Sequence, residues 1–158
     1  MNRTEKIRSQ LGADWIPTIY EKKVRSLRTR AVAMQIPARG NTAEILHTLL
    51  GIELKVGNRR IACPDLATAR YLQVFARLGC ARVAIPYDIT KISPLADELE
   101  TAWQRMLLLL GVESKHNTPT VASRLRSSLV REIRQSIQSV GAGEMMPEFK
   151  QSTRQRNT

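Results

Sequence analysis

The spacing of hydrophobic residues changes several times along this chain, and each change predicts a new element. Asp14 and Pro17 are typical helix-start residues, and the apolar positions that follow recur about every 3.6 residues. These positions are Ile19, Tyr20, Val24 and Leu27. From Arg30 to Pro37 apolar residues alternate with small or polar ones, which predicts a strand after this helix.

The next segment predicts a short helix followed by a hairpin. Residues 42–50 place apolar side chains at helical spacing, after a capping residue at position 41 or 42, and the helix is expected to end at Gly51. Gly57 and Asn58 then separate two runs that alternate with period two. Because both residues tolerate positive φ angles, this pair predicts a tight hairpin turn.

A second helix and a final strand complete the predicted core. Asp65 caps a helix that ends at Gly79, and 81–85 form a strand before Pro86. The order over about 30–86 is then βαββαβ, which is typical of ferredoxin-like domains with both helices on one face of a four-stranded sheet. We therefore predict an α+β fold with a ferredoxin-like core, an N-terminal helix and two C-terminal helices.

A winged-helix domain is the alternative interpretation of the same segment. Residues 42–50 would then be the recognition helix and 52–63 would be the wing. This alternative lacks a helix at the right distance upstream, because 30–36 alternates like a strand.

The same helix-start signal occurs twice in the C-terminal half. Ser93 with Pro94 and Thr118 with Pro119 each place proline at the first helical position, where its missing N–H costs nothing. The first of these helices is expected to end at Gly111. The predicted organisation is a basic N-terminal helical segment over 1–29, an α+β core plus helix over 30–114, a basic amphipathic helix over 115–140 and a flexible basic tail over 141–158.

The charge of the chain is concentrated at its two ends. The net charge is +11, yet 41–114 hold eight basic and eight acidic side chains, while 1–40 carry +6 and 115–158 carry +5. Eighteen of the 25 basic residues are arginine, whose guanidinium group binds phosphate oxygens and stacks on bases. A genome rich in arginine codons would give the same excess. The distribution favours a polyanionic partner.

Three basic surfaces are candidates for phosphate contacts. One lies on the N-terminal helix and continues beyond it, one follows the hairpin turn, and one lies on the last helix opposite its apolar stripe. The candidate nucleic-acid-binding residues are Lys22, Lys23, Arg25, Arg28, Arg30, Arg39, Arg59, Arg60, Arg124, Arg131 and Arg134. Each surface is also consistent with a solvated face, and the hairpin arginines with charges that protect an edge strand.

These patterns lead to three functional hypotheses. We expect a small basic accessory protein that binds nucleic acid through arginine–phosphate contacts, with RNA slightly preferred to DNA and a ribonucleoprotein setting. The predicted strands contain no aromatic residue, which argues against base stacking on the sheet. The alternative is an adaptor or regulator that binds an acidic protein, for example in transcription machinery. The third is a small enzyme that uses Cys63.

The residues give little support to catalysis. No nucleophile motif, phosphate-binding glycine loop or metal spacing accompanies the two histidines, His47 and His116. Cys63 precedes a helix start, where the helix dipole lowers a thiol pKa, but Asp65 opposes that effect. We expect a protein that is not an enzyme and that has no cofactor and no metal site. No motif identifies a family.

Hydrophobicity and cysteine content favour a cytoplasmic protein with no membrane partner. The longest apolar run, 106–110, has five residues, far fewer than the roughly 18 needed to span a bilayer. This run is expected to pack in the core or to form a homo-oligomer interface. Cys63 and Cys80 match no metal or redox spacing.

Overall fold

The computed structural model describes residues 2–34 and 42–143, which form a mixed α+β structure as predicted. The elements are α1 (Arg3–Leu11), α2 (Ile16–Ile19), β1 (Thr29–Ala33), β2 (Ala43–Thr48), β3 (Gly51–Val56), β4 (Arg59–Cys63), α3 (Leu66–Arg77), β5 (Arg82–Pro86), α4 (Ile92–Glu113) and α5 (Pro119–Val140). Helix α2 continues as a π-helical turn over Tyr20–Val24, and a 3₁₀ turn over Ile89–Lys91 precedes α4.

The described strands pair as two small antiparallel sheets. Strand β1 pairs with β5, with Thr29 opposite Pro86 and Ala33 opposite Arg82. Strands β2, β3 and β4 form a meander. The predicted hairpin is confirmed as β3–β4, and Gly57 at its turn has a φ of 61°, which favours glycine.

The predicted helix over 42–50 is wrong, because most of this segment is strand β2. Gly51, expected to end a helix, forms the β2–β3 turn with a φ of 119°, and Thr48 supports that turn by donating its hydroxyl to the Gly51 carbonyl (3.1 Å). Strand β2 therefore stands where the winged-helix alternative has its recognition helix and where the predicted βαββαβ order has its first helix. The described order across 30–86 is ββββαβ, so a ferredoxin-like core is not confirmed.

Helix capping follows the sequence at two helices and departs from it at a third. The Asp65 carboxylate accepts from the Thr68 N–H (2.7 Å), and the Thr118 hydroxyl accepts from the Val121 N–H (3.3 Å), as predicted. Ser93 caps no helix, because α4 begins at Ile92. A 3₁₀ turn capped by Asp88 leads directly into α4 and takes the place of a side-chain cap.

One hydrophobic core joins the N-terminal helices, α3, β5, α4 and α5. The apolar stripe of α5 is buried in it, together with residues of α1 and of the segment around Trp15. Both basic flanks therefore carry apolar faces into the same core as the neutral middle of the chain. Within 106–110, Met106 is buried while Leu108 is 71% exposed, and a homo-oligomer through this run stays a prediction.

Two tyrosines complete the hydrogen bonding of strand β5. The Tyr20 hydroxyl accepts from the Ala84 N–H (2.9 Å) and donates to the Gly141 carbonyl (2.7 Å), while the Tyr71 hydroxyl donates to the Ala84 carbonyl (2.6 Å). Both backbone groups of Ala84 point to the same side of the strand. The hydroxyls therefore bond where a further strand would otherwise pair.

Candidate nucleic-acid interface

Most carboxylates of the described residues form ion pairs or hydrogen bonds with other groups of the protein. The Arg70 guanidinium donates to Asp97 (2.5 Å) and to Glu100 (2.7 Å), tying α3 to α4, and these bonds raise its pKa. The other ion pairs join Lys6 to Glu113, Lys23 to Glu98, Arg60 to Glu53 and Arg105 to Asp14. Glu5, Asp65 and Asp88 bond backbone N–H groups at helix starts.

Four of the predicted basic residues have partners within the protein. Lys23 pairs with Glu98 (2.7 Å) and Arg60 with Glu53 (3.2 Å). The two others bond neutral oxygens: Arg25 donates to the Thr29 hydroxyl (3.3 Å), and the half-buried Arg134 donates to the Leu78 carbonyl (3.4 Å) at the end of α3. These contacts leave the four side chains less available to an external anion.

The remaining predicted residues differ in exposure. Among those that the structure describes, none forms an ion pair with another described residue. The exposed ones are Lys22, Arg28, Arg59, Arg124 and Arg131. Arg30 is half-buried on β1 opposite Ile85, and Arg39 lies outside the described residues.

Several of these residues meet at three adjoining depressions, which we call the basic groove. The depression of about 570 Å³ at one end is lined by Arg28, Tyr87, Asp88 and Lys91 among others. It shares Ser26, Leu27 and Lys91 with a central depression of about 320 Å³. The central one shares Lys22, Lys23 and Glu98 with a third of about 360 Å³.

The basic groove runs between the π-helical turn after α2 and the start of α4. Lys91 belongs to it, although sequence reasoning did not select this residue, because it stands alone in the neutral middle of the chain. Its one sequence signal is its place in the turn just before a helix.

The arginines of the β3–β4 hairpin lie at a separate place. Arg59 and Arg60 line a depression of about 490 Å³ together with Asn58, Ile61 and Ala33, at the end of β1. Since Arg60 is paired with Glu53, Arg59 is the exposed cation of this depression without an ion pair to a described residue.

Both thiols lie in surroundings that suppress ionisation. Burial raises the pKa of Cys63, and Asp65 raises it further, so the helix start does not activate this thiol. Burial raises the pKa of Cys80 to about 12. Across residues 2–34 and 42–143, no group of three or more His, Cys, Asp or Glu residues is placed to hold a metal ion.

No known protein family, curated protein or solved structure matches this chain. Among the described helices, none is long and apolar enough to cross a membrane.

Proposed function

We propose that this protein is a small cytoplasmic accessory protein that binds nucleic acid through phosphate contacts, with RNA in a ribonucleoprotein as the first candidate. One observation carries the proposal. Internal bonds engage most of the described carboxylates, whereas a set of exposed cations has no ion pair to a described residue. This set includes Lys22, Arg28, Lys91, Arg124 and Arg131.

Unneutralised cations on a surface favour a polyanion because each phosphate contact releases condensed counterions. The cations occupy two surfaces, the basic groove and the outer face of α5. Arginine on α5 suits two-point phosphate contacts, and lysine in the groove supplies point charges. Two carboxylates line the groove, Asp88 and Glu98, against four cations, and Glu98 is paired with Lys23.

Purification without nuclease tests this function. The protein should retain material that absorbs at 260 nm, and sequencing should identify it as RNA or DNA. The triple variant Lys22→Gln, Arg28→Gln, Lys91→Gln should retain less. A protein that elutes free of nucleic acid and binds neither polymer in dilute buffer would contradict the proposal.

A matched control removes the same charge elsewhere. Arg3→Gln, Arg82→Gln, Lys115→Gln also deletes three exposed cations. Arg3 and Lys115 lie towards the far end of α4 from the groove, and at about 1.5 Å per residue this helix is about 30 Å long. The control should retain more nucleic acid than the groove variant. Equal losses would mean that net charge, rather than the groove, causes retention.

An adaptor that binds an acidic protein is the second candidate, favoured by exposed apolar side chains on α4. Leu108 and Val112 are one helical turn apart and 71% and 66% exposed. Protein interfaces use such apolar anchors, which phosphate binding does not need. An adaptor should retain one defined acidic protein after nuclease treatment, and Leu108→Ser should release it.

A further inference from the structure

The basic groove contains more than cations. Besides Lys22 and Lys91, its central part is lined by Leu27, Pro94 and Leu95, and its Arg28 end is lined by Tyr87, which is 37% exposed. Phosphate binding alone does not require an apolar lining or an aromatic ring. Their combination with basic residues is typical of grooves that bind single strands, where cations follow the backbone and aromatic rings stack on bases.

We propose that the basic groove binds a short single-stranded segment of nucleic acid, with phosphates at Arg28, Lys91 and Lys22 and a base against Tyr87. The proposal rests on the nucleic-acid function proposed above and assigns its site and its substrate class. RNA and DNA single strands share the required phosphates and base faces.

The charges that face the groove leave it positive. Lys22, Lys23, Arg28 and Lys91 line it, against the two carboxylates Asp88 and Glu98. Lys23 bonds Glu98 (2.7 Å), and Thr90 bonds Asp88 through its hydroxyl (2.6 Å) and its N–H (3.0 Å). These bonds lower the pKa of Asp88, so it remains ionised near neutral pH, and both acids are already occupied.

Hydrogen bonds hold the walls of the groove in place before any ligand arrives. The Tyr87 N–H donates to the Arg28 carbonyl (3.0 Å), which joins the two loops at that end. The Lys91 N–H donates to the Asp88 carbonyl (3.0 Å), and the Ser26 hydroxyl donates to the Lys22 carbonyl (2.8 Å). A preformed site loses less conformational entropy on binding than a mobile one.

The lining of the groove favours a single strand over a duplex. Its depressions of about 320 to 570 Å³ are open to solvent and bring cations, apolar side chains and one aromatic ring together on one surface. In a duplex the base faces are stacked on one another and only base edges reach the grooves. Tyr87 and the apolar lining could then contact no base face, and only the phosphates would be recognised.

Fluorescence anisotropy with labelled oligonucleotides tests the proposal. The probes are one pyrimidine-rich sequence as single-stranded RNA, as single-stranded DNA and as a DNA duplex of equal length. We expect the single strands to bind about ten-fold or more tightly than the duplex. Tyr87→Ala should weaken single-strand binding by about five-fold or more, while Tyr87→Phe should bind like the wild type, because a lost base stack costs about 1–3 kcal/mol.

The dependence of affinity on salt distinguishes the base contact at Tyr87 from the phosphate contacts at Arg28 and Lys91. Tyr87→Ala should leave the slope of log affinity against log salt unchanged, whereas Arg28→Gln with Lys91→Gln should reduce its magnitude by about 1.4, at about 0.7 per phosphate. Circular dichroism of each variant checks that it is folded. If Tyr87→Ala does not fold, the preference for single strands over the duplex, measured for the wild type and for Tyr87→Phe, still tests the proposal.

Each outcome decides the proposal. Equal affinity for single strands and duplex, or equal affinity of Tyr87→Ala and Tyr87→Phe, would overturn the groove assignment while leaving nucleic-acid binding at α5 intact. Failure of all three probes to bind would overturn the proposed function as well. Tighter binding of the RNA strand than of the DNA strand would support the groove with an added contact to the 2′-hydroxyl, and equal binding would support it without one.

Discussion

Tyr20 connects three parts of the fold through one hydroxyl group. It lies in the π-helical turn after α2 and bonds Ala84 on β5 and Gly141 after α5. Sequence analysis placed Tyr20 correctly on the apolar side of its helix. It could not predict the hydroxyl's partners, because Ala84 and Gly141 are distant in the chain and are brought together only by packing.

Removing this hydroxyl should destabilise the protein. Tyr20→Phe keeps the ring that packs edge-on against Phe75 but leaves the buried Ala84 N–H without a partner. The free energy of unfolding, measured by chemical denaturation, should fall by about 1–3 kcal/mol. An unchanged value would show that the hydroxyl contributes nothing to stability.

Gly143 is closely packed and Gly111 is not, so alanine substitutions at these two glycines give a second test at the residue scale. A Cβ at Gly143 would lie 2.5 Å from the Thr29 Oγ1 and 2.8 Å from the Arg30 carbonyl oxygen, so Gly143→Ala should cost about 1–3 kcal/mol of unfolding free energy. A Cβ at Gly111 in α4 would have no atom within 4 Å beyond the neighbouring residues and backbone of its own helix, so Gly111→Ala should add roughly 0.5–1 kcal/mol. Replacing glycine by alanine should therefore lower the free energy of unfolding at Gly143 and raise it at Gly111. Two losses of equal size would contradict the close packing of Gly143 against β1.

At the scale of elements, the sequence correctly predicts the turns and helix caps that depend on contacts within a few residues. The Gly57–Asn58 hairpin, the Asp65 cap and the Thr118 cap are each settled within a few residues, and all three are confirmed. The segment 42–50 was assigned to the wrong element because its leucine and isoleucine spacing fits a helix, whereas pairing with β3 makes it a strand. Leu49 and Leu50, expected to be buried on that helix, lie fully exposed at the β2–β3 turn.

Helix α5 shows how far a helical face can be predicted. Its apolar stripe is buried at Leu125, Leu129, Ile133 and Ile137, as expected from the spacing. The stripe drifts around the helix because 3.6 residues per turn does not match a four-residue step, at about 40° per step. Arg134 consequently lies beside the buried side near the end of the helix, where it reaches Leu78.

The arginines of α5 should therefore separate into two groups. Arg134→Gln should lower the free energy of unfolding by about 1–2 kcal/mol, because it removes a charged hydrogen bond to the Leu78 carbonyl. Arg124→Gln with Arg131→Gln should leave stability within about 0.5 kcal/mol and weaken RNA binding instead. Thermal denaturation and anisotropy on the same samples measure both effects. If all three arginines lowered stability alike, α5 would have no outer face free for a partner.

At the scale of the whole molecule, the sequence shows the excess of cations but not which of them are neutralised. The decisive pairs join residues far apart in the chain, such as Lys23 with Glu98 and Arg105 with Asp14. The neutral middle of the chain supplies Glu98 to the first pair and Arg105 to the second, and it also supplies Lys91 to the basic groove. The basic flanks and the neutral middle of the chain thus share one core, and exposed cations remain on its surface.

The salt dependence of RNA binding tests this account most directly. For the wild type, log affinity for a single-stranded RNA should fall linearly as log salt rises between about 50 and 200 mM. The variant Lys22→Gln, Arg28→Gln, Lys91→Gln should have a slope smaller by about 2, at about 0.7 per lost phosphate contact, and Arg3→Gln, Arg82→Gln, Lys115→Gln should keep the wild-type slope. Binding that is absent at low salt, or a slope that is the same in all three proteins, would contradict it.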